Sequence, residues 1–231
     1  MPNSALTIMT PFASRKKWVP EFYIKTITAL DLCLSEGQHP SFVFVNNSGN
    51  PSYLDPICDA VNKIYPESTI HCIIDDEVFD NPNSVEKTTK MYNLWWKMKD
   101  YVDGDYVLSL EDDVVPTPDA ITKMKEFLNS DSNIAFVSAA VRRRGGGWMN
   151  HAIINGVMKH WIQDDPFEVH LSHMSCVLFR GDVFQKLSLE KVSNYVWEHT
   201  IMNDIKAMGM KAWCLGYQCV AKHYASPERF W

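Results

Sequence analysis

The chain has 231 residues, 46% hydrophobic and 22% charged, with a formal net charge of −6. That is enough length and apolar content for one α/β domain with a real core, and it excludes disorder or low complexity as the chain's main character. The acidic balance argues against a strong, non-specific nucleic-acid binder, although Arg142-Arg143-Arg144 forms a local basic patch.

Six cysteines occur, none in a C-x-x-C pair and most in apolar runs such as Thr69 to Ile74. They read as buried thiols packing as small hydrophobes rather than as a disulfide framework. The N-terminus lacks a signal pattern. The longest apolar stretch, Ile134 to Val141, falls short of the ~20 residues a membrane span needs. The expectation is a soluble cytoplasmic protein with no transmembrane segment.

In chain order, short apolar runs alternate with helical spacing, the pattern of buried parallel strands and their crossovers. Leu6 to Met9 is the first predicted strand, followed by a Thr10-Pro11 turn. Trp18, Phe22, Ile27, Leu30 and Leu34 then mark a helix that Gly37 stops. Phe42 to Val45 is the second strand and ends in a polar turn, 46–50; Ile57, Val61 and Ile64 share one face of the next helix. Thr69 to Ile74 is the third strand and runs into Asp75-Asp76. A longer helix spans about Ser84 to Val102, and the fourth strand, Tyr106 to Leu110, leads into Glu111-Asp112-Asp113. Pro118 opens the next helix.

Four β-α units of this kind predict a doubly wound sheet, in which ligands bind beyond the carboxyl ends of the strands. Thr10-Pro11, Asn46, Asp75 and the acidic triplet all fall at such ends and are expected on one sheet edge. The second half is less regular. It holds a strand over Ile134 to Val141, an arginine-glycine loop, a strand over His173 to Arg180, and a short helix from Gly181-Asp182. A helix marked by Trp197, Ile201, Ile205 and Met208 follows, then two short strands near Lys211 to Leu215 and Cys219 to Lys222.

Three adjacent carboxylates resist joint ionisation unless a cation offsets them. Mg²⁺ or Mn²⁺ bound through oxygen ligands and substrate phosphates is one solution, and a solvated acidic loop is the other. The arginine loop has two readings as well, an anion-closing segment or a solvated surface hairpin.

The order of these segments resembles the nucleotide-sugar glycosyltransferases of the GT-A fold, particularly the large inverting family 2. LTIMTPF (6–12) looks like that family's opening strand and turn, and YVLSLEDDV (106–114) like its strand followed by D-x-D. SCVLFRGDVF (175–184) resembles the acceptor-side strand, and WEHTIMNDIKAMGMKAW (197–213) the helix that carries the base. The resemblance implies one GT-A domain over 1–231: a Rossmann-like, mostly parallel sheet with a smaller acceptor-side subregion. Residues 1–120 would bind the nucleotide sugar and 121–231 the acceptor.

The resemblance also implies roles for particular residues. Thr10, Pro11, Phe12, Asn46 and Asp75 would line the nucleotide-sugar site, and Glu111 and Asp112 would contact the ribose or a metal-bound water. Asp113 and His223, with Asp112, would hold Mn²⁺ or Mg²⁺, and Arg142, Arg143 and Arg144 would assist the departing diphosphate. The family's Glu-Asp pair at the helix start is here Glu198-His199, so Glu198, His199 and Asp204 are all candidates for the base. The implied reaction moves a sugar from a nucleoside-diphosphate donor to an acceptor hydroxyl, with inversion. The acceptor is a glycan, a protein or a hydroxymethylated DNA base, as in small microbial or viral transferases.

Two other readings compete. A sugar-1-phosphate nucleotidyltransferase needs a glycine-rich phosphate loop, and the first turn has Arg15, Lys16 and Lys17 but no glycine. A non-catalytic sugar-binding module would explain the missing Asp of the Glu-Asp pair. Trp148, Trp161, Phe230 and Trp231 could stack on a sugar or base, or pack as core.

Overall fold

The computed structural model describes residues 5–12, 17–75, 93–142, 147–154, 157–188, 197–226 and 228–230. Asp76, the 84–92 part of the predicted 84–102 helix, Arg15, Lys16, Arg143, Arg144 and Trp231 lie outside the described residues.

The first half runs β1 (Leu6–Phe12), α1 (Val19–Ala29), β2 (Pro40–Asn46), α2 (Asp55–Ile64), β3 (Thr69–Ile74), a helix α3 described over 93–99, and β4 (Tyr106–Leu110). There follow β5 (Val114–Pro116), α4 (Ala120–Ser130), β6 (Ile134–Ser138), β7 (Ala140–Val141), β8 (His151–Ile154) and β9 (Val157–His160). The chain continues through β10 (Phe167–Glu168), β11 (Cys176–Arg180), α5 (Gly181–Lys186) and α6 (Trp197–Ala207). It closes with β12 (Lys211–Cys214), β13 (Val220–Ser226) and β14 (Arg229–Phe230).

Eight strands form one sheet in the order β10-β12-β6-β11-β4-β1-β2-β3. The β4-β1-β2-β3 part is parallel, and β11 enters antiparallel between β4 and β6. This is the doubly wound, α/β arrangement expected. A smaller sheet, β14-β13-β5 with β7 alongside β13, lies at the carboxyl end of β4.

Side chains alternate across the strands, so each face of the sheet has its own core. Ile8, Phe12, Phe42 and Phe44 pack with α1, α2 and α4 residues such as Tyr23, Ile57 and Met124. Met9, Val43 and Val45 pack on the other face with Trp95, Phe184, Ile201 and Ile205. Each such fully buried side chain contributes roughly 1.5–3 kcal/mol relative to exposure.

Several boundaries differ from expectation for local reasons. α1 stops at Ala29, because Leu30 turns extended and the Asp31 carboxylate accepts the Cys33 N–H at 2.9 Å. The Asp31 N–H is also drawn off the helix, to the Pro118 carbonyl at 2.9 Å. β3 is half exposed rather than buried, because it is the sheet edge. The run 134–141 breaks at Ala139 into β6 and β7, which belong to different sheets. Among the cysteines, Cys176, Cys214 and Cys219 are buried as expected; Cys33 and Cys58 are half-buried and Cys72 is exposed.

Gly181 marks a close backbone approach. Its N–H bonds the Asp105 carbonyl at 2.7 Å, and a Cβ there would stand 2.0 Å from the Gly104 oxygen. Gly181→Ala is therefore expected to cost about 1–3 kcal/mol by overpacking. Urea unfolding should show a lower midpoint with an unchanged slope. An unchanged midpoint would mean that the α5–β4 junction yields freely.

Candidate functional site

The acidic triplet sits where β4 leaves the main sheet. Glu111 donates its N–H to the Ser175 carbonyl at 2.9 Å, which ties the triplet to β11. A turn closed by the Val114 N–H on the Glu111 carbonyl (3.3 Å) then feeds β5. β13 runs antiparallel to β5 and sets His223 opposite Val114, and the Tyr224 N–H bonds the Asp113 carbonyl at 2.8 Å. That pairing delivers the His223 Nε2 to 3.1 Å from the Asp113 Oδ1. Both residues are buried.

Glu111, Asp113 and His223 each present one donor atom, all within 4.8 Å of one another. Two carboxylates and an imidazole brought together this closely suit a divalent cation. Of the three, Glu111 is half-buried and the other two are buried.

Asp112 does not belong to this group of three. Its charge is felt instead at the Tyr23 and Tyr53 hydroxyls, both raised well above the usual range, chiefly by burial and then by Asp112. Glu111 and Asp113, but not Asp112, thus converge on His223.

On the other flank, α6 begins at Trp197 and carries Glu198 on the same helical stripe as buried Ile201 and Ile205. Glu198 faces a cavity of ≈ 330 Å³, also lined by Met149, His151, His160, Leu171, Ser172 and His173. The Glu198 Oε2 is buried and has no hydrogen-bond partner among the described residues. Burial pushes its carboxyl up to about 7; its own backbone amide pulls the other way, and the negative charge of Glu111 adds a smaller push. Glu198 therefore lies within electrostatic reach of the three-residue cluster.

The other two base candidates are placed differently. His199 is exposed, one residue out of phase with the buried stripe. Asp204 accepts the Ser188 N–H at 2.8 Å and the Ser188 hydroxyl at 2.9 Å, which ties α6 to Ser188.

The cavity histidines were not singled out in the sequence. His151 and His160 are a cross-strand pair of the β8–β9 hairpin, their rings 3.9 Å apart. The Asn155-Gly156 dipeptide between those strands is the hairpin signal that could have found them. His173 is buried, and burial pushes its imidazole down to about 3, so it stays neutral. Its Nδ1 accepts the Ser175 N–H at 3.0 Å, so the proton sits on Nε2, 3.3 Å from the Ala139 carbonyl. His173 thereby positions Ser175, whose carbonyl holds Glu111.

The nucleotide-side candidates are close to one another but mostly engaged. Asn46, Gly49, Asn50, Pro51, Ile74 and Asp75 surround a small cavity of ≈ 70 Å³. The Asn46 amide donates to the Asn50 and Pro51 carbonyls and accepts from Ser48, so it shapes the turn. Asp75 pairs with Lys97 at 2.5 Å and accepts from Asn47 at 3.2 Å. Thr10 bonds the Tyr23 hydroxyl at 2.7 Å, Pro11 is buried in β1, and Phe12 lies in the core against Tyr23 and Phe44. Arg142 is exposed and stacks 5.4 Å over Trp148, whose ring in turn meets Tyr217. The Trp161 Nε1 donates to Gln163 at 3.2 Å.

No family model matches the chain, and no curated protein matches it. Solved structures do. One is GalNAc-T7 with UDP, GalNAc and Mn²⁺, at a TM-score of 0.62 and 12% identity, covering 96% of this chain and 44% of that one. Another is the mannosyltransferase PcManGT from Pyrobaculum calidifontis in complex with GDP-Man and Mn²⁺. It matches at a TM-score of 0.54 and 12% identity, over 91% of this chain and 54% of that one. The chain spans about half the length of these two proteins. It has the GT-A fold of nucleotide-sugar glycosyltransferases. Among the described residues no helix is long and apolar enough to cross a membrane.

Proposed function

We propose that this chain is a divalent-cation-dependent glycosyltransferase, moving a sugar from a nucleoside-diphosphate donor to an acceptor hydroxyl with inversion. The observation that carries this reading is Glu198: a buried carboxyl with a raised pKa, facing a cavity and sensing the charge of Glu111. The influence of Glu111 on Glu198 supports a base near the cation site, an arrangement that suits inverting transfer.

Glu111, Asp113 and His223 would hold the cation. The mixed oxygen and nitrogen donors favour Mn²⁺ over Mg²⁺, which prefers oxygen ligands and its own waters. When bound, the cation supplies Lewis-acid stabilisation of the departing diphosphate. Glu198 takes the proton of the acceptor hydroxyl, whose oxygen attacks the anomeric carbon from the face opposite the diphosphate. The carbon–oxygen bond to the diphosphate breaks, and its electron pair leaves on the diphosphate oxygen.

The cavity beside Glu198 would receive the acceptor, with Leu171 and Met149 giving it an apolar side and Ser172 and the histidines a polar one. Asp112, Asn46 and Asp75 would serve the nucleotide side, and Arg142 to Arg144 the diphosphate. In this division residues 1–120 carry the donor and 121–231 the acceptor, with His223 closing the cation site from the second half.

A panel of UDP-, GDP- and CDP-sugars tests the reading through release of the nucleoside diphosphate. Release from one donor with Mn²⁺, abolished by EDTA, is expected. No release from any donor, together with no metal-dependent nucleotide binding, would contradict it.

A further inference from the structure

Two thiols outside the proposed site meet at the open edge of the main sheet. Cys58 is the fourth residue of α2, and Cys72 lies in the edge strand β3. Their sulfurs are 3.1 Å apart, and both are free thiols. We propose that Cys58 and Cys72 are a dithiol–disulfide couple that reversibly staples α2 to β3.

The approach is built into the fold. Cys72 is held in register opposite Phe44 by the β2–β3 ladder. Cys58 is held by a helix whose Ile57 and Val61 are buried in the core. Independent constraints therefore aim the two side chains at each other. A covalent S–S bond of ~2.05 Å needs only about 1 Å of further closure, within the reach of side-chain rotation. Cys72 is exposed and Cys58 half-buried, so a small reagent can reach them. The other close-set cysteines, Cys176, Cys214 and Cys219, are buried and lack that access.

The chemistry assigns an order. Either sulfur can donate across the 3.1 Å contact; with Cys58 accepting, its thiol is held below its usual range, although Asp55 and Asp59 push the other way. Cys72 itself is raised. In that arrangement Cys58 is the attacking thiolate. It displaces one thiolate from a low-molecular-weight disulfide and forms a mixed disulfide. Cys72 then loses its proton and attacks the Cys58 sulfur, releasing the second thiol. The protein gives up two electrons and two protons, and the small disulfide becomes two thiols. The Asp55 and Asp59 carboxylates disfavour an anionic reagent and favour a cationic one.

The staple has a structural consequence. α2 continues directly from the 46–54 segment, and β3 ends at Ile74 beside Asp75; these two segments form the walls of the ≈ 70 Å³ cavity. The bond ties one wall to the other.

The reduced full chain is treated with cystamine, a cationic disulfide, quenched, and alkylated with N-ethylmaleimide under denaturing conditions. Loss of two of the six thiols is expected, with the protein about 2 Da lighter before alkylation and no cysteamine retained. Peptide mapping should join Cys58 to Cys72. Cys72→Ser should stop at a cysteamine adduct on Cys58, which separates a folding defect from a missing partner. Oxidised glutathione, being anionic, should react several-fold more slowly than cystamine. Cysteamine retained on the wild-type chain, or all six thiols alkylated, would overturn the proposal. It stands independently of the transferase reading, since no nucleotide or acceptor enters the test.

Discussion

Glu198→Gln is expected to lower sugar transfer by about 10²–10⁴-fold, the usual worth of a general base, and at pH 8 to make the metal-free protein harder to unfold. The two effects share one cause. Burial pushes the Glu198 carboxyl up to about 7 from an ordinary 4.5, so the fold favours its neutral form. A folded pKa above the unfolded one contributes stability that is fully present below about 4.5 and lost as pH rises through about 7. The difference corresponds to roughly 3 kcal/mol at pH 8. Glutamine keeps the shape and removes the ionisation, so it recovers most of that loss. Thermal unfolding against pH should show the variant above the wild type at pH 8 and the two converging near pH 4.5. Wild-type activity should rise with pH through about 7, since the base works only when deprotonated. Parallel stability curves, or transfer that survives the substitution, would remove Glu198 from the mechanism. His199→Ala should leave transfer near wild type, because that side chain is exposed.

Asp113→Asn and His223→Ala should each abolish Mn²⁺-dependent nucleotide binding. Losing a direct ligand should exceed the ~10–100-fold that loss of an outer partner costs. Glu111→Gln should behave in the same way. Asp112→Asn should leave cation affinity little changed, because Asp112 is not one of the three clustered donors and its charge falls on Tyr23 and Tyr53. Manganese titration by electron paramagnetic resonance reads these affinities directly. Equal losses at 111, 112 and 113 would mean that the triplet acts as a diffuse acidic surface. Far-ultraviolet circular dichroism guards against a trivial result, since the Asp113–His223 contact also joins β4 to β13.

The sheet was legible because buried parallel strands write themselves as short apolar runs, and LTIMTPF and YVLSLEDDV are such runs. Asp113 and His223 were legible as a pair only through the resemblance. The β5–β13 ladder that joins them consists of a three-residue strand and a long-range partner, and neither has a periodic signature. Which of Glu111 and Asp112 clusters with Asp113 and His223 depends on turn geometry that three consecutive acids do not encode. Which base candidate lies on the buried face of α6 was written in the sequence. Positions 198, 201 and 205 share one helix face, and 199 does not. The hairpin histidines were readable from Asn155-Gly156, but the run HAII was too short to stand out as a strand. The Cys58–Cys72 approach was hidden because it depends on β3 being the exposed sheet edge.

The central claim is that Glu111, Asp113 and His223 bind a divalent cation that brings in a nucleoside diphosphate. Isothermal titration of UDP and of GDP into the wild-type chain, with Mn²⁺ and with EDTA, tests it most directly. Binding of one nucleotide with Mn²⁺, lost with EDTA and lost in Asp113→Asn, is the predicted result. Binding that is indifferent to Mn²⁺, or no binding of either nucleotide with Mn²⁺ present, would contradict it.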